Sequence, residues 1–420
     1  MIGKCKAVLK AKLTELTKKN IMLRKIVRKV FYIRRLCIFK RRTFAIKTDE
    51  KTAMFFAFKG KSYACSPKAI YEYMLTDEKY KDFKFIWAFK EPEEHSDLEK
   101  NRNTRIVKYG GKDYCKALAC AKYWFFNYRV ADHIYPKKDQ IYVQCWHGTP
   151  LKRLGYDLKN SNNAMNSDEE IYEKYKIDAE KFSYIISPSK FASEKFASAW
   201  DLVNTNMTNK IIEKGYPRND FLYNFKKEEI LEIKRKLDLP EEKGIILYAP
   251  TWRDDQHQSG VGYVYETQVD FDLLREELEE NYVILFRAHY LVANSFDFEK
   301  YKGFIYDVSN YDNINDLYII SDMLITDYSS VFFDYANLKR PMIFHMYDYE
   351  KYKDDLRGFY IDVEELPGTI TKTEEELIKA IEGTKDCYYN EKYRLFNEKY
   401  NYLDDGNAAK RVVEEIVKRK

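Results

Sequence analysis

Residues 141–150 read Ile141-Tyr142-Val143-Gln144-Cys145-Trp146-His147-Gly148-Thr149-Pro150. The apolar run Ile141-Tyr142-Val143 predicts a buried strand, and Gly148 and Pro150 predict a turn directly after it. A histidine is thereby delivered at the carboxyl end of a strand, which is where open α/β sheets place reacting groups. The arrangement repeats where Tyr282-Val283-Ile284-Leu285-Phe286 runs into Arg287-Ala288-His289. These are two of the six histidines in the chain, one in each half. The pair predicts a cleft between two similar domains. Taken alone, either imidazole could instead do no more than hydrogen-bond its own turn.

Outward from these two points the pattern is one of short apolar runs alternating with amphipathic helices. Strands are expected at 52–58, 83–89, 104–109, 123–126, 141–145 and 184–187 in the first half. The second half adds 244–249, 282–286, 303–308, 323–326 and 342–345. Helices are expected from Ser66-Pro67, over 113–121, 191–200, 226–237 and 313–320, and at the end over 408–418. Repeated βαβ units imply parallel sheets with right-handed crossovers. At 420 residues the chain has room for two cores. The predicted fold is α/β and GT-B-like: two doubly wound, Rossmann-like domains over residues 44–210 and 211–420, facing a cleft. The 37 Tyr and 26 Phe scatter along the sequence and suggest no aromatic array.

Residues 1–43 form a separate basic segment. Positions 1–42 carry fifteen Lys and Arg against one acid, Glu15. Met22, Ile26, Val30, Ile33 and Cys37 recur at helical spacing, with Leu23 and Val27 beside them and Arg or Lys elsewhere on the circumference. A basic amphipathic helix of this kind suits an anionic membrane surface; a helix docked on its own protein is the alternative. No nucleic-acid motif accompanies it. No apolar run approaches the roughly 18–20 residues needed to span a bilayer, so a peripheral place on the cytoplasmic face of the membrane is expected. The seven Cys form no metal-ligand spacing. They read as reduced thiols, and Cys145 lacks the orienting partner a nucleophile needs.

The stretch Thr326-Asp327-Tyr328-Ser329-Ser330-Val331-Phe332 reads as a strand end, a turn and a helix start. Ser329 and Ser330 are expected to cap that helix and aim its free N–H groups at an anion. Arg218, Arg253, Arg287 and His289 come from strand ends in the same half, and Arg suits bidentate phosphate contact. Asp270-Phe271-Asp272 has the spacing of a metal-binding acidic pair, yet it opens an amphipathic helix, so capping is expected. Neither a P-loop nor a dinucleotide fingerprint occurs, and no metal or cofactor is expected.

The ordered series Trp146-His147-Gly148-Thr149-Pro150-Leu151-Lys152, Ser187-Pro188-Ser189, Gly215-Tyr216-Pro217-Arg218, Tyr248-Ala249-Pro250-Thr251-Trp252-Arg253, Arg287-Ala288-His289 and Thr326-Asp327-Tyr328-Ser329-Ser330 closely resembles the CDP-glycerol glycerophosphotransferases of wall teichoic acid synthesis. That family includes CDP-ribitol enzymes. The resemblance spans roughly residues 50–415. It implies metal-independent transfer of glycerol or ribitol phosphate from CDP-glycerol or CDP-ribitol to a hydroxyl of a lipid-linked saccharide acceptor, releasing CMP. The family's two key histidines fall on His147 and His289. Arg218, Thr251, Arg253, Arg287, Asp327, Ser329 and Ser330 are expected on the donor side, and Gly148, Thr149 and Lys152 on the acceptor side. A GT-B sugar transferase and a non-catalytic binder of anionic polymer are the rival readings.

Overall fold

The computed structural model describes residues 21–158, 167–251, 257–258, 262–263, 269–288, 296–349, 358–384 and 388–418. The expectations placed on Arg253 and on His289 lie outside the described residues.

In the first half, β1 (Asp49–Phe56), β2 (Lys84–Phe89), β3 (Thr104–Lys108), β4 (Ala121–Phe126), β5 (Ile141–Gln144), β6 (Tyr184–Ser187) and β7 (Ile211–Glu213) form one sheet. Its order is β3-β2-β1-β4-β5-β6-β7, parallel throughout. In the second half β8 (Gly244–Ala249) is followed by a small hairpin of β9 (His257–Gln258) and β10 (Gly262–Tyr263). A six-stranded parallel sheet then takes the order β12-β11-β8-β13-β14-β15, from β11 (Tyr282–Phe286), β12 (Ile305–Asp307), β13 (Met323–Thr326), β14 (Met342–His345) and β15 (Thr369–Thr371). Both sheets are doubly wound. In each, the strand that comes first in sequence lies inside the sheet, and the order reverses beside it. That reversal opens a crevice at the carboxyl ends of β1 and β4, and of β8 and β13. The two-domain GT-B-like expectation holds.

The sheets are apolar runs because helices cover both faces. In the first, Phe55 lies in register with Trp87 on β2 and Phe125 on β4. The three rings stack at centroid separations of 5.3 and 5.6 Å. Aromatics dispersed in sequence thus do converge into a row across the sheet, contrary to expectation, because parallel pairing brings residues of separate strands side by side. Such pairs contribute about 0.5–1.5 kcal/mol each beyond area burial.

The domain boundary differs from 210/211 in two respects. β7 pairs with β6 and so belongs to the first sheet. The last helix, Ala408–Lys418, crosses back and buries Val412, Val413 and Ile416 among Phe55, Tyr71 and Phe85 of the first domain. Its first N–H groups are capped by Asp220, which accepts from Ala408 N at 2.8 Å and Ala409 N at 2.7 Å.

The helix Ile21–Thr43 precedes β1. Leu23, Val27, Leu36 and Phe39 are only partly exposed, and Phe39 packs on the first-domain core. Arg28 pairs with Glu170 at 2.7 Å. Met22 at 78%, Ile26 at 59% and Val30 at 60% relative exposure point away from the protein. One side of the helix is docked, and the other presents an apolar stripe among basic residues. Among the described residues, no helix is long and apolar enough to cross a membrane.

Candidate active site

His147 follows β5 through Cys145 and Trp146. Trp146 adopts a left-handed conformation, φ +47°, which costs a side-chain-bearing residue about 1–2 kcal/mol. It is held there by burial against Trp200, with centroids 4.9 Å apart, and by its N–H donating to Gln144 Oε1 at 3.0 Å. The reversal buries the indole and turns His147 outward, with the imidazole stacked on the indole at 4.4 Å. Cys145 faces the opposite way, fully buried in the core, where burial pushes its thiol well up. That removes it as a nucleophile.

The His147 ring is open to the cleft by surface area but walled by both domains. Desolvation there, with the neighbouring Arg218 guanidinium, pushes its pKa down from 6.5 to about 4. The imidazole is therefore neutral at physiological pH, the state a general base requires.

Arg218 has other partners than the phosphate expected for it. Its guanidinium is buried and paired with Asp334 through Nε at 3.2 Å and a second contact at Nη2. Nη1 donates to the His147 carbonyl. Arg218 thus fixes the His147 turn from below. Its own segment is anchored in turn: Asp404 accepts from Tyr216 N at 2.9 Å and from Asn219 Nδ2 at 2.6 Å. A Cβ on Gly215, φ +88°, would stand 2.7 Å from the Leu403 carbonyl oxygen, so this turn requires glycine.

The second domain meets His147 with the ends of β8 and β13. Thr326 Oγ1 donates to the Ala249 carbonyl at 2.7 Å, and Asp327 Oδ1 accepts from Thr251 N at 2.7 Å and from Tyr328 N at 2.6 Å. Asp327 is buried and ties the two loops together. The helix after the serines is only five residues, Val331–Tyr335, and neither serine caps it through its side chain. The expected capped, strongly polarised helix end is absent, because so short a helix has little macrodipole. Ser330 instead closes on the other domain: a Cβ added to Gly148 would lie 3.2 Å from Ser330 Oγ. Arg287 Nη1 donates to the carbonyls of Val308 and Tyr311, each at 2.8 Å.

After the buried Thr149 the chain crosses to the second domain, where Lys152 bridges Phe359 and Leu151 joins that domain's core. Three adjoining cavities follow the interdomain line, of about 840, 410 and 160 Å³. The largest lies between Lys59, Lys61 and Lys90 of the first domain and Arg287 and Ser329 of the second. The middle one holds His147, Lys152, Thr251, Ser329 and Ser330. The smallest holds His147, Arg218, Arg287 and Tyr318. Sequence reasoning missed Lys59–Lys61 and Tyr318. A glycine in the turn that follows β1, Gly60, signals the first; Tyr318 lies within the helix Ile314–Ile320 and carries no signal. Asp270 caps its helix, accepting from Asp272 N at 3.0 Å and Leu273 N at 3.1 Å, while Asp272 pairs with Lys300. This is the capping role expected of that acidic pair.

The profile of the CDP-glycerol:poly(glycerophosphate) glycerophosphotransferase family matches residues 38–418. The chain belongs to this family. Among its relatives, the teichoic acid poly(glycerol phosphate) polymerase of Bacillus spizizenii is 39% identical over 88% of this chain and 92% of that protein. The teichoic acid glycerol-phosphate transferase of Staphylococcus aureus is 38% identical over 89% of this chain and 94% of that protein. Among solved structures, the wall teichoic acid polymerase TagF superposes with a TM-score of 0.82 at 37% identity, covering 98% of each chain. A histidine variant of TagF soaked with CDPG also superposes with a TM-score of 0.82. As a glycerophosphotransferase, this chain is an enzyme of teichoic acid biosynthesis, and the motifs read in its sequence lie inside the matched span.

Proposed function

We propose that this glycerophosphotransferase moves glycerol phosphate from CDP-glycerol to a hydroxyl of a lipid-linked acceptor, with His147 as the base. The observation carrying the reading is the His147 imidazole opening on the cleft opposite the crevice of the second sheet, where a doubly wound domain takes a nucleotide. The acceptor hydroxyl attacks the phosphorus bearing glycerol. His147 takes the proton, an O–P bond forms, and the bond to CMP breaks. Arg287 and the Ser329-Ser330 turn lie on the donor side of that cleft; Arg218 positions His147. Thr251 and Asp327 shape the donor loops, and Gly148, Thr149 and Lys152 the acceptor side. Glycerol is favoured over ribitol because the glycerol-phosphate relatives match at 38–41% identity over most of the chain, against 29–34% over about two thirds of it for the ribitol ones.

The exposed stripe Met22, Ile26 and Val30, flanked by Lys25, Arg28 and Lys29, supports a peripheral seat on an anionic membrane surface where a lipid-linked acceptor resides. Incubation with a lipid acceptor and CDP-glycerol, CDP-ribitol or a UDP-sugar tests the reading. CMP release from CDP-glycerol with mass gain on the acceptor is expected; UDP release from the sugar donor alone would contradict it.

A further inference from the structure

The loop that carries His147 continues past Pro150 and joins the two domains. Leu151 enters the second-domain core, whereas Leu154, Tyr156 and Leu158 return to that of the first. Between them the chain runs beside residues 358–360 of the second domain. Lys152 and Phe359 form an antiparallel bridge. Tyr360 N donates to the Leu151 carbonyl at 2.8 Å, and Arg153 N donates to the Gly358 carbonyl at 3.2 Å. Tyr360 completes the junction with its side chain: its hydroxyl donates to Asp157 and accepts from Leu154 N at 3.1 Å. Ser198 Oγ donates to the same Asp157 oxygen at 2.6 Å and so holds the carboxylate in place. Gly155, φ +46°, seats the loop so tightly on the helix Lys190–Ala199 that a Cβ would stand 2.1 Å from the Ala199 carbonyl oxygen. On the other side, Phe359 stacks on Tyr328 of the 326–330 turn at 5.8 Å. Burial and the Asp157 carboxylate raise the Tyr360 pKa, which keeps the phenol protonated and its donor bond made.

Resting on the reading given above, we infer that residues 151–154 and 358–360 form an interdomain clasp, and that Tyr360 is a positioning residue which holds the His147 loop in register with the donor turn 326–330. A hydroxyl that both donates to and accepts from the opposite domain fixes direction as well as separation. Catalysis depends on such placement, since a misplacement of about 1 Å can cost on the order of a hundredfold in rate. The clasp also keeps water from the cleft around His147. The charged and thiol groups about that imidazole are Arg129, Lys152, Arg218, Arg287, Asp312 and Cys65. Loss of the Tyr360 hydroxyl alters none of them and acts through hydration alone.

Tyr360→Phe removes one oxygen and keeps the ring beside Lys195. Its single-turnover rate at saturating CDP-glycerol should fall by roughly tenfold to a hundredfold, with CDP-glycerol affinity by calorimetry unchanged. The acid limb of its pH profile should move up from about 4 toward the 6.5 of an ordinary histidine, as the imidazole regains water. Asp157→Asn keeps an oxygen acceptor and should retain most of the rate. Asp157→Ala should match Tyr360→Phe, and the double variant should be no slower than either, because both remove one contact. Hydrogen exchange without substrate should show faster exchange at Arg153 and Leu154 in Tyr360→Phe, with β1 and β8 protected as before. Unchanged exchange at those two amides, a full single-turnover rate, an unmoved acid limb or additive losses in the double variant overturns the assignment. Absence of CMP release by the unaltered protein from either CDP-polyol would instead overturn the proposed function, and the exchange measurement would still decide whether the clasp exists.

Discussion

Two turns face each other across the cleft, and they treat their polar residues in opposite ways. At 146–150 the strain falls on Trp146, and the His147 side chain is left facing the interdomain cleft, available for chemistry. At 326–330 the polar residue the sequence brings forward, Asp327, is engaged by Thr251 N and Tyr328 N. Arg218, which looked like a phosphate ligand, is likewise engaged by Asp334 and the His147 carbonyl. A reactive residue type at a strand end locates the cleft, but only the hydrogen-bond partners decide whether it acts on substrate or holds the site in shape.

The sharpest way to break this contrast is to remove a partner. Asp334→Ala leaves the Arg218 guanidinium buried and unpaired, which typically costs about 3–5 kcal/mol. Denaturant unfolding should show that loss, with transfer falling as the His147 turn loosens; full stability would mean Arg218 is not structurally committed. Asp327→Ala should cost about 1–3 kcal/mol by orphaning two backbone N–H groups. Should it instead unfold like the parent while losing CDP-glycerol affinity, Asp327 is a donor ligand after all. Replacing Met22, Ile26 and Val30 by Ser should leave folding and turnover of a water-soluble acceptor intact. Binding to anionic vesicles should weaken by an amount on the order of 1 kcal/mol per side chain; undiminished sedimentation with vesicles would refute the membrane seat. The smallest effect is expected from excess chelator, which should leave turnover nearly unchanged, since Asp270 caps a helix and Asp272 pairs with Lys300. A collapse restored by Mg²⁺ would reverse that view.

Much of the fold was legible because parallel strands buried on both faces appear as apolar runs. Strands 244–249, 282–286 and 323–326 start and stop where their apolar runs do. β7 and β15 escaped notice because three residues give too short a run to register. The helix Asp168–Lys181 escaped although Ser167 and Glu170 form a capping box at its start; its hydrophobic face is broken by charged residues. In the site, His147 and the Gly148 turn were readable from local pattern. The engagement of Arg218 by Asp334, 116 positions away, was not, since no local pattern records a partner brought in by the fold. The same holds for the last helix, whose apolar face shows that it packs but not on which domain.

The central claim is that His147 is the base and is neutral throughout the physiological range. Single-turnover transfer at saturating CDP-glycerol, measured on the unaltered protein and on His147→Ala from acid to neutral pH, tests it most directly, alongside donor binding by calorimetry. The unaltered rate should hold on acidification until near pH 4, where the imidazole gains its proton. His147→Ala should be slower by about 10²–10⁴, without that acid limb, and should bind CDP-glycerol normally. Near-normal single-turnover chemistry in His147→Ala, with the loss confined to donor binding, would contradict the account.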